Sequence, residues 1–169
     1  TTVFNLLTGV YQPTAGSIRV FGKDTLGKRT YEVIGYGLAR TFQNIRLFKE
    51  LTVLENLLVA MDFDKRRMES GIWRSVFQSR SEMESEAGKR KYGLELLGIF
   101  GMDSRQDMLA KNLPYGDQRR LEILRAMATG ARMILLDEPA AGLNPQETME
   151  LMKTIGFIRD RFDMTVLLI

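Results

Sequence analysis

The sequence predicts an α/β fold: a parallel sheet core with an inserted helical subdomain, truncated at both ends. Residues 133–138, MILLDE, are a continuous apolar run closed by two carboxylates, the pattern of a strand buried on both faces of a parallel sheet. The stretch QETMELMKTIGFIRDRF separates it from a second apolar run, MTVLLI. Together they read as a βαβ unit, which places ligands at the carboxyl ends of its strands. Ahead of this unit, residues 62–92 carry eight basic and six acidic side chains and few aliphatics, which marks an insertion with an exposed face.

The elements follow in order. Val3, Phe4, Leu7 and Val10 fall at helical spacing, so the chain opens on a helix. A turn, QPTAG, leads to the alternating strand SIRVF, with Ile18 and Val20 on one face. LARTF, residues 38–42, suggests a second short strand, followed by a polar loop beginning at Gln43. Thr52 and Glu55 form a capping box that starts a helix with Leu54, Leu57, Leu58 and Met61 as its apolar stripe. Within the charged insertion, Ile72, Trp73, Val76 and Phe77 make a small aromatic cluster. Helix then runs over about 81–98, with Leu94 and Leu97 inward, and again over 118–129, with Leu121, Leu124 and Ala128 inward. Asn144 and Pro145 suit the N-cap and first position of the βαβ helix, whose Met149, Met152 and Ile155 share a side.

Composition narrows the chemistry. At 169 residues, 44% apolar and 27% charged, the chain can bury a real core. No run of eighteen apolar residues is present, and the N-terminus lacks the pattern of a secretory signal. Without cysteine or histidine, these residues supply neither thiolate chemistry nor an imidazole base or metal ligand. The net charge of +3 comes from 24 basic against 21 acidic residues, with no block of five like charges, so a mixed solvated surface explains it better than nucleic-acid binding. The chain begins in a helix and stops in a strand without cap or turn, which reads as an internal piece of a longer protein.

Four places are candidates for chemistry. Asp137 and Glu138 end a buried strand and should point to opposite sides: one to hold a magnesium ion directly or through water, the other to orient or deprotonate an attacking water. A plain strand-to-turn transition is the competing explanation. Thr1 and Thr2 stand at a helix N-terminus, where free N–H groups attract anions and a hydroxyl can ligate Mg²⁺, although an ordinary N-cap accounts for them equally. Gln43 can offer its carbonyl oxygen to a metal or its amide to water, and is otherwise a surface-loop residue. LPYGDQRR, residues 113–120, combines Gly116, which permits close backbone approach, with a helix N-terminus that favours phosphate. Its alternative is a proline turn followed by solvated arginines.

Taken in order, these segments resemble the nucleotide-binding subunit of ABC transporters. Thr1 matches the hydroxyl residue that follows the P-loop lysine, ARTFQNIRLF matches the glutamine loop through Gln43, LPYGDQRRLEILRAMAT the signature motif, MILLDEPAAGLNP the acidic strand end, and Ala141 to Asn144 the D-loop. The match extends to TTVFNLLTGVYQPTAGSIRVFG and to the insertion, and is similar to one branch, the ATP-binding subunits of branched-chain amino acid importers. The resemblance implies a P-loop NTPase-type sheet core formed by residues 1–43 and 130–169, and a helical subdomain over about 44–129. It implies two subunits sandwiching ATP, each ATP held by one P-loop and the other subunit's signature, here Tyr115, Gly116, Asp117 and Gln118.

On the same resemblance, Thr1, Gln43 and Asp137 surround Mg²⁺, Thr1, Thr2 and Asp137 contact nucleotide, and Glu138 with Gln43 acts on the attacking water. The implied partners are a second ATP-binding subunit, membrane permease subunits facing the Gln43 loop and the 62–92 insertion, and indirectly a solute-binding protein, all at the cytoplasmic face of the cell membrane; no nucleic acid is expected. The family's P-loop lysine falls before Thr1 and its histidine after Ile169, so this chain by itself is not expected to hydrolyse ATP. The signature departs from the commoner pattern at Pro114, which lacks the serine hydroxyl, and at Asp117, whose charge would repel phosphate unless it turns toward Arg119, Arg120 or the partner. An ABC-type ATPase acting on nucleic acid or ribosomes, and an inactive nucleotide-binding remnant, are the alternatives.

Overall fold

The computed structural model describes residues 2–61 and 85–169. Thr1, the aromatic cluster of Ile72, Trp73, Val76 and Phe77, and the start of the helix expected over 81–98 lie outside the described residues. Helix α1 (Thr2–Leu7) leads to a small antiparallel hairpin of β1 (Arg19–Val20) and β2 (Lys23–Asp24). Then come α2 (Thr30–Ile34), β3 (Leu38–Arg40), α3 (Val53–Met61), α4 (Glu86–Ile99), α5 (Tyr115–Ala128), β4 (Met133–Leu136), α6 (Pro145–Arg161) and β5 (Thr165–Leu168).

The main sheet is parallel throughout, in the order β3-β4-β5. Leu38 pairs with Met133, and Met133 with Thr165. Central β4 alternates its burial between two apolar clusters. Leu135 packs with Phe4, Val20, Val33 and Leu38, whereas Ile134 and Leu136 join the larger cluster shared by α3, α4, α5 and α6. This two-sided burial is the property expected of MILLDE, and the βαβ unit forms from β4, α6 and β5. Among the described residues β5 pairs only with β4, and Leu168 and Ile169 are 46% and 47% exposed.

The helix caps follow the sequence closely. The Thr52 backbone N–H donates to Glu55 Oε2 at 2.7 Å, and the Glu55 N–H donates to Thr52 Oγ1 at 3.2 Å. Two further donors of that first turn are satisfied from outside: Val53 N–H reaches Met108 O and Leu54 N–H reaches Gln106 O. Asn144 caps α6, and Glu147 closes a second capping box that the sequence reading did not include. The α3 stripe forms as expected, with Leu58 only half-buried.

Other expectations need correction. In α1 only Phe4 is buried; Val3 is exposed, and Val10 lies beyond the helix and is exposed. On α4 the inward face is Tyr92, Gly93, Leu96 and Leu97, with Leu94 half-buried. Helix α5 starts at Tyr115, three residues before the expected start, because Pro114 serves as its N-cap. On α6 the buried residues are Leu151 and Ile158, flanked by Met152 and Ile155. Met149, 60% exposed, points away, since helical period alone does not say which face meets the sheet.

Candidate functional site

The strand end after β4 separates its two carboxylates sharply. Asp137 is buried, and its Oδ2 accepts from the Arg40 guanidinium at 3.0 Å. Arg40 sits at the end of the neighbouring strand β3 and also donates to Asn5 Oδ1 at 2.7 Å. Glu138 is exposed. Strand alternation is not the whole cause, for β4 has ended and Glu138 takes a left-handed φ of 47°, a conformation that costs a non-glycine residue energy and is common at functional sites. Its N–H donates to Ile169 O and its C=O accepts from Ala141 N–H, which holds that turn in place.

Gln43 completes the group. Its Nε2 donates to Glu138 Oε2 at 2.9 Å across 95 positions of sequence, so the glutamine loop and the acidic strand end meet. Asp137, Glu138 and Gln43 bring side chains with oxygen donors to this strand end. Among the described residues no group of three or more acidic, histidine or cysteine side chains can enclose a metal unaided. The set fits Mg²⁺, which takes one or two carboxylates and completes its shell with water and phosphate. Thr2 is exposed at the first position of α1; Thr1 lies outside the described residues.

The signature residues occupy the first turn of α5. Tyr115 is exposed, its ring against Gly142 and 5.7 Å from the Arg119 guanidinium carbon. A Cβ on Gly142, which has φ +81°, would come within 3.0 Å of that ring. Gly116 faces Glu147 and Leu143. Asp117 is buried and pairs with Arg105 and, at 3.4 Å, with Arg120, which neutralises the charge that would oppose an anion. Gln118 spends its amide on Leu113 O at 2.9 Å. The N–H groups of Tyr115, Gly116 and Asp117 open the helix and have no carbonyl four residues back.

Arg119 behaves unlike the solvated arginine that LPYGDQRR suggests. It is 2% exposed, pairs with Glu122 at 3.1 Å and donates to the carbonyls of Phe42 and Gln43; it does not reach Asp117. Burial pushes the Glu122 carboxyl up, against the pull of Arg119 and the loop N–H groups. Sequence reasoning missed Arg40, Arg105, Arg119 and Glu122. One signal was available, the i, i+3 spacing of Arg119 and Glu122 on a helix with its apolar residues alongside.

Comparison with known proteins gives the family. The model of the ABC transporter family matches residues 1–141. The chain belongs to the ABC transporter family. It is 44% identical over 169 residues to the high-affinity branched-chain amino acid transport ATP-binding protein BraF of Pseudomonas aeruginosa, and covers 100% of this chain and 65% of that protein. It is 45% identical over 172 residues to the corresponding protein LivG of Escherichia coli K12, with the same coverage. This ABC transporter chain therefore spans 65% of the length of these curated relatives, slightly less than two thirds. Among solved structures it matches the ADP conformation of an ATP-binding cassette of an ABC transporter, at 28% identity and TM-score 0.77, over 99% of this chain and 63% of that one.

Proposed function

We propose that the full-length protein containing this chain is the ATP-binding and ATP-hydrolysing subunit of an ABC importer that energises uptake of branched-chain or similar amino acids. The reading rests on one observation above all: Gln43 is hydrogen-bonded to Glu138 beside the buried Asp137, at the carboxyl end of a parallel strand. Identity to importer ATP-binding proteins over the whole chain supports the transport assignment.

In this mechanism Glu138 accepts a proton from a water that Gln43 helps to orient. The water oxygen forms a bond to the γ-phosphorus, the bond to the bridging β–γ oxygen breaks, and ADP departs. Such transfer depends on position and electrostatic stabilisation rather than on covalent chemistry with the protein. Asp137, Gln43 and Thr1 would hold Mg²⁺, which supplies charge neutralisation on the phosphates. Thr2 and the α5 first turn, Tyr115 to Gln118, would contact nucleotide, the latter through backbone N–H groups because Pro114 offers no hydroxyl.

The family's sandwich requires a second ATP-binding subunit, and transport requires permease subunits, with a solute-binding protein beyond them. No helix among the described residues is long and apolar enough to cross a membrane. On this proposal the permease holds the protein at the cytoplasmic face. A groove of about 420 Å³ lined by Phe42, Arg46, Phe48, Val59 and Arg125 adjoins the Gln43 loop and supports docking there. The division into a sheet core, 1–43 with 130–169, and a helical subdomain over about 44–129 belongs to the same proposal. The decisive experiment is ATP turnover by the full-length protein and its Glu138→Gln variant. The variant should bind ATP with hydrolysis reduced at least ~10²-fold; an unchanged kcat would remove Glu138 as the base.

A further inference from the structure

The loop that carries Gln43 has an unusual support. Among the described residues, no backbone–backbone hydrogen bond involves positions 42–47. Four of its main-chain groups go instead to three side chains spaced i, i+3 and i+6 on α5. Arg119 Nη1 donates to Phe42 O at 2.9 Å and Nη2 to Gln43 O. Arg46 N–H donates to Glu122 Oε1 at 3.4 Å, and Arg125 Nη1 donates to Arg46 O. A single face of the helix therefore dictates the path of the loop.

Arg119 is the centre of this arrangement. Burying an ion pair such as Arg119–Glu122 is a poor route to stability, because desolvation offsets most of the Coulomb gain. A guanidinium does something that an apolar side chain or an ammonium does not: its planar fork presents two fixed donors to two successive carbonyls. The same guanidinium lies 3.3 Å from Tyr115 Oη, in the first turn of α5. At the other end of the connection, the Gln43 side chain donates to Glu138.

We propose that Arg119 is a positioning residue for Gln43: it fixes the Gln43 backbone to α5, so that the orientation of that helix sets the Gln43–Glu138 contact. The catalytic consequence rests on the hydrolysis function proposed above; the hold on the loop does not. Glu122 anchors the guanidinium, and Arg125 repeats the attachment three residues further along the loop. A shift of α5 relative to the sheet would pull the amide of Gln43 away from Glu138 without disturbing either side chain's chemistry.

The test uses the full-length protein, with Arg119→Lys as the variant. Lysine keeps the charge beside Glu122 and loses the two-point hold. Hydrogen exchange of the peptide spanning 42–48 should accelerate by at least about 3-fold, with the α5 peptides unchanged. ATP affinity should stay within about twofold while kcat falls by about 10-fold. In a Gln43→Ala background, Arg119→Lys should lower kcat no further, since coupled residues are not additive. Unchanged exchange at 42–48, or additive kcat losses in the double variant, would overturn the proposal. A parent protein without ATP turnover would sink the hydrolysis reading instead, and the exchange measurement would still decide whether Arg119 holds the loop.

Discussion

Asp137 and Glu138 are adjacent in sequence yet live in different dielectric environments, one buried and one exposed, which suits the separate roles proposed for them. Asp137 is sealed against Arg40, with side chains only 5% and 7% exposed. Its charge is compensated inside the protein before any cation arrives. Removing the partner leaves a buried, unpaired carboxylate, the costly half of a broken ion pair. Arg40→Met should therefore destabilise the protein by about 3–5 kcal/mol in denaturant unfolding, whereas a loss below 1 kcal/mol would show that Asp137 finds water or another donor. Glu138 carries its strain in the backbone, at φ 47°, and its carboxylate stays at the surface within reach of Gln43. Sequence reading placed both carboxylates at the strand end and gave them separate jobs. It had no means of joining Arg40 to Asp137 or Arg119 to the Gln43 loop, because those partners lie up to 97 positions away.

At the scale of elements, the helices are fixed locally and oriented by contact. The capping boxes at Thr52 and Asn144 are readable from four-residue patterns because donor and acceptor sit within one turn. Which face turns inward is settled elsewhere: α4 meets α3 through Gly93, where an added Cβ would lie 2.7 Å from Leu54 Cδ1 and 3.6 Å from Met61 Cε. Alanine at an exposed helical position normally gains up to about 1 kcal/mol over glycine. Here the overlap reverses the sign, and Gly93→Ala should destabilise by about 1–3 kcal/mol. A variant with raised Tm would mean that Leu54 moves aside freely. Helix α5 shows the same division, since its apolar face, Leu121, Leu124 and Ala128, was legible from spacing, while the buried polar face of Arg119 and Glu122 resembles an ordinary solvated pair in sequence.

Across the whole molecule, the larger apolar cluster joins the helices to one face of the sheet, so the sheet, α5 and the Gln43 loop form one mechanical path. At its outer end lies the groove that the transport proposal gives to a permease, with Phe48 46% and Val59 44% exposed. Val59→Asp in the full-length protein should weaken co-purification with a permease at least ~10-fold through the cost of burying a carboxylate, and leave ATP turnover of the isolated subunit unchanged. Full retention of the permease would move the docking site elsewhere. The sequence by itself determined the α/β class, the βαβ unit, the N-caps at Thr52 and Asn144 and the order of the acidic, glutamine and signature segments, because each is written in a local period or a short pattern. Only the tertiary structure decided that β4 stands between β3 and β5, that Arg40 neutralises Asp137 and that Arg119 grips the Gln43 loop. These depend on which strands become neighbours and on burial, which converts a surface-type charge into one that must be paired.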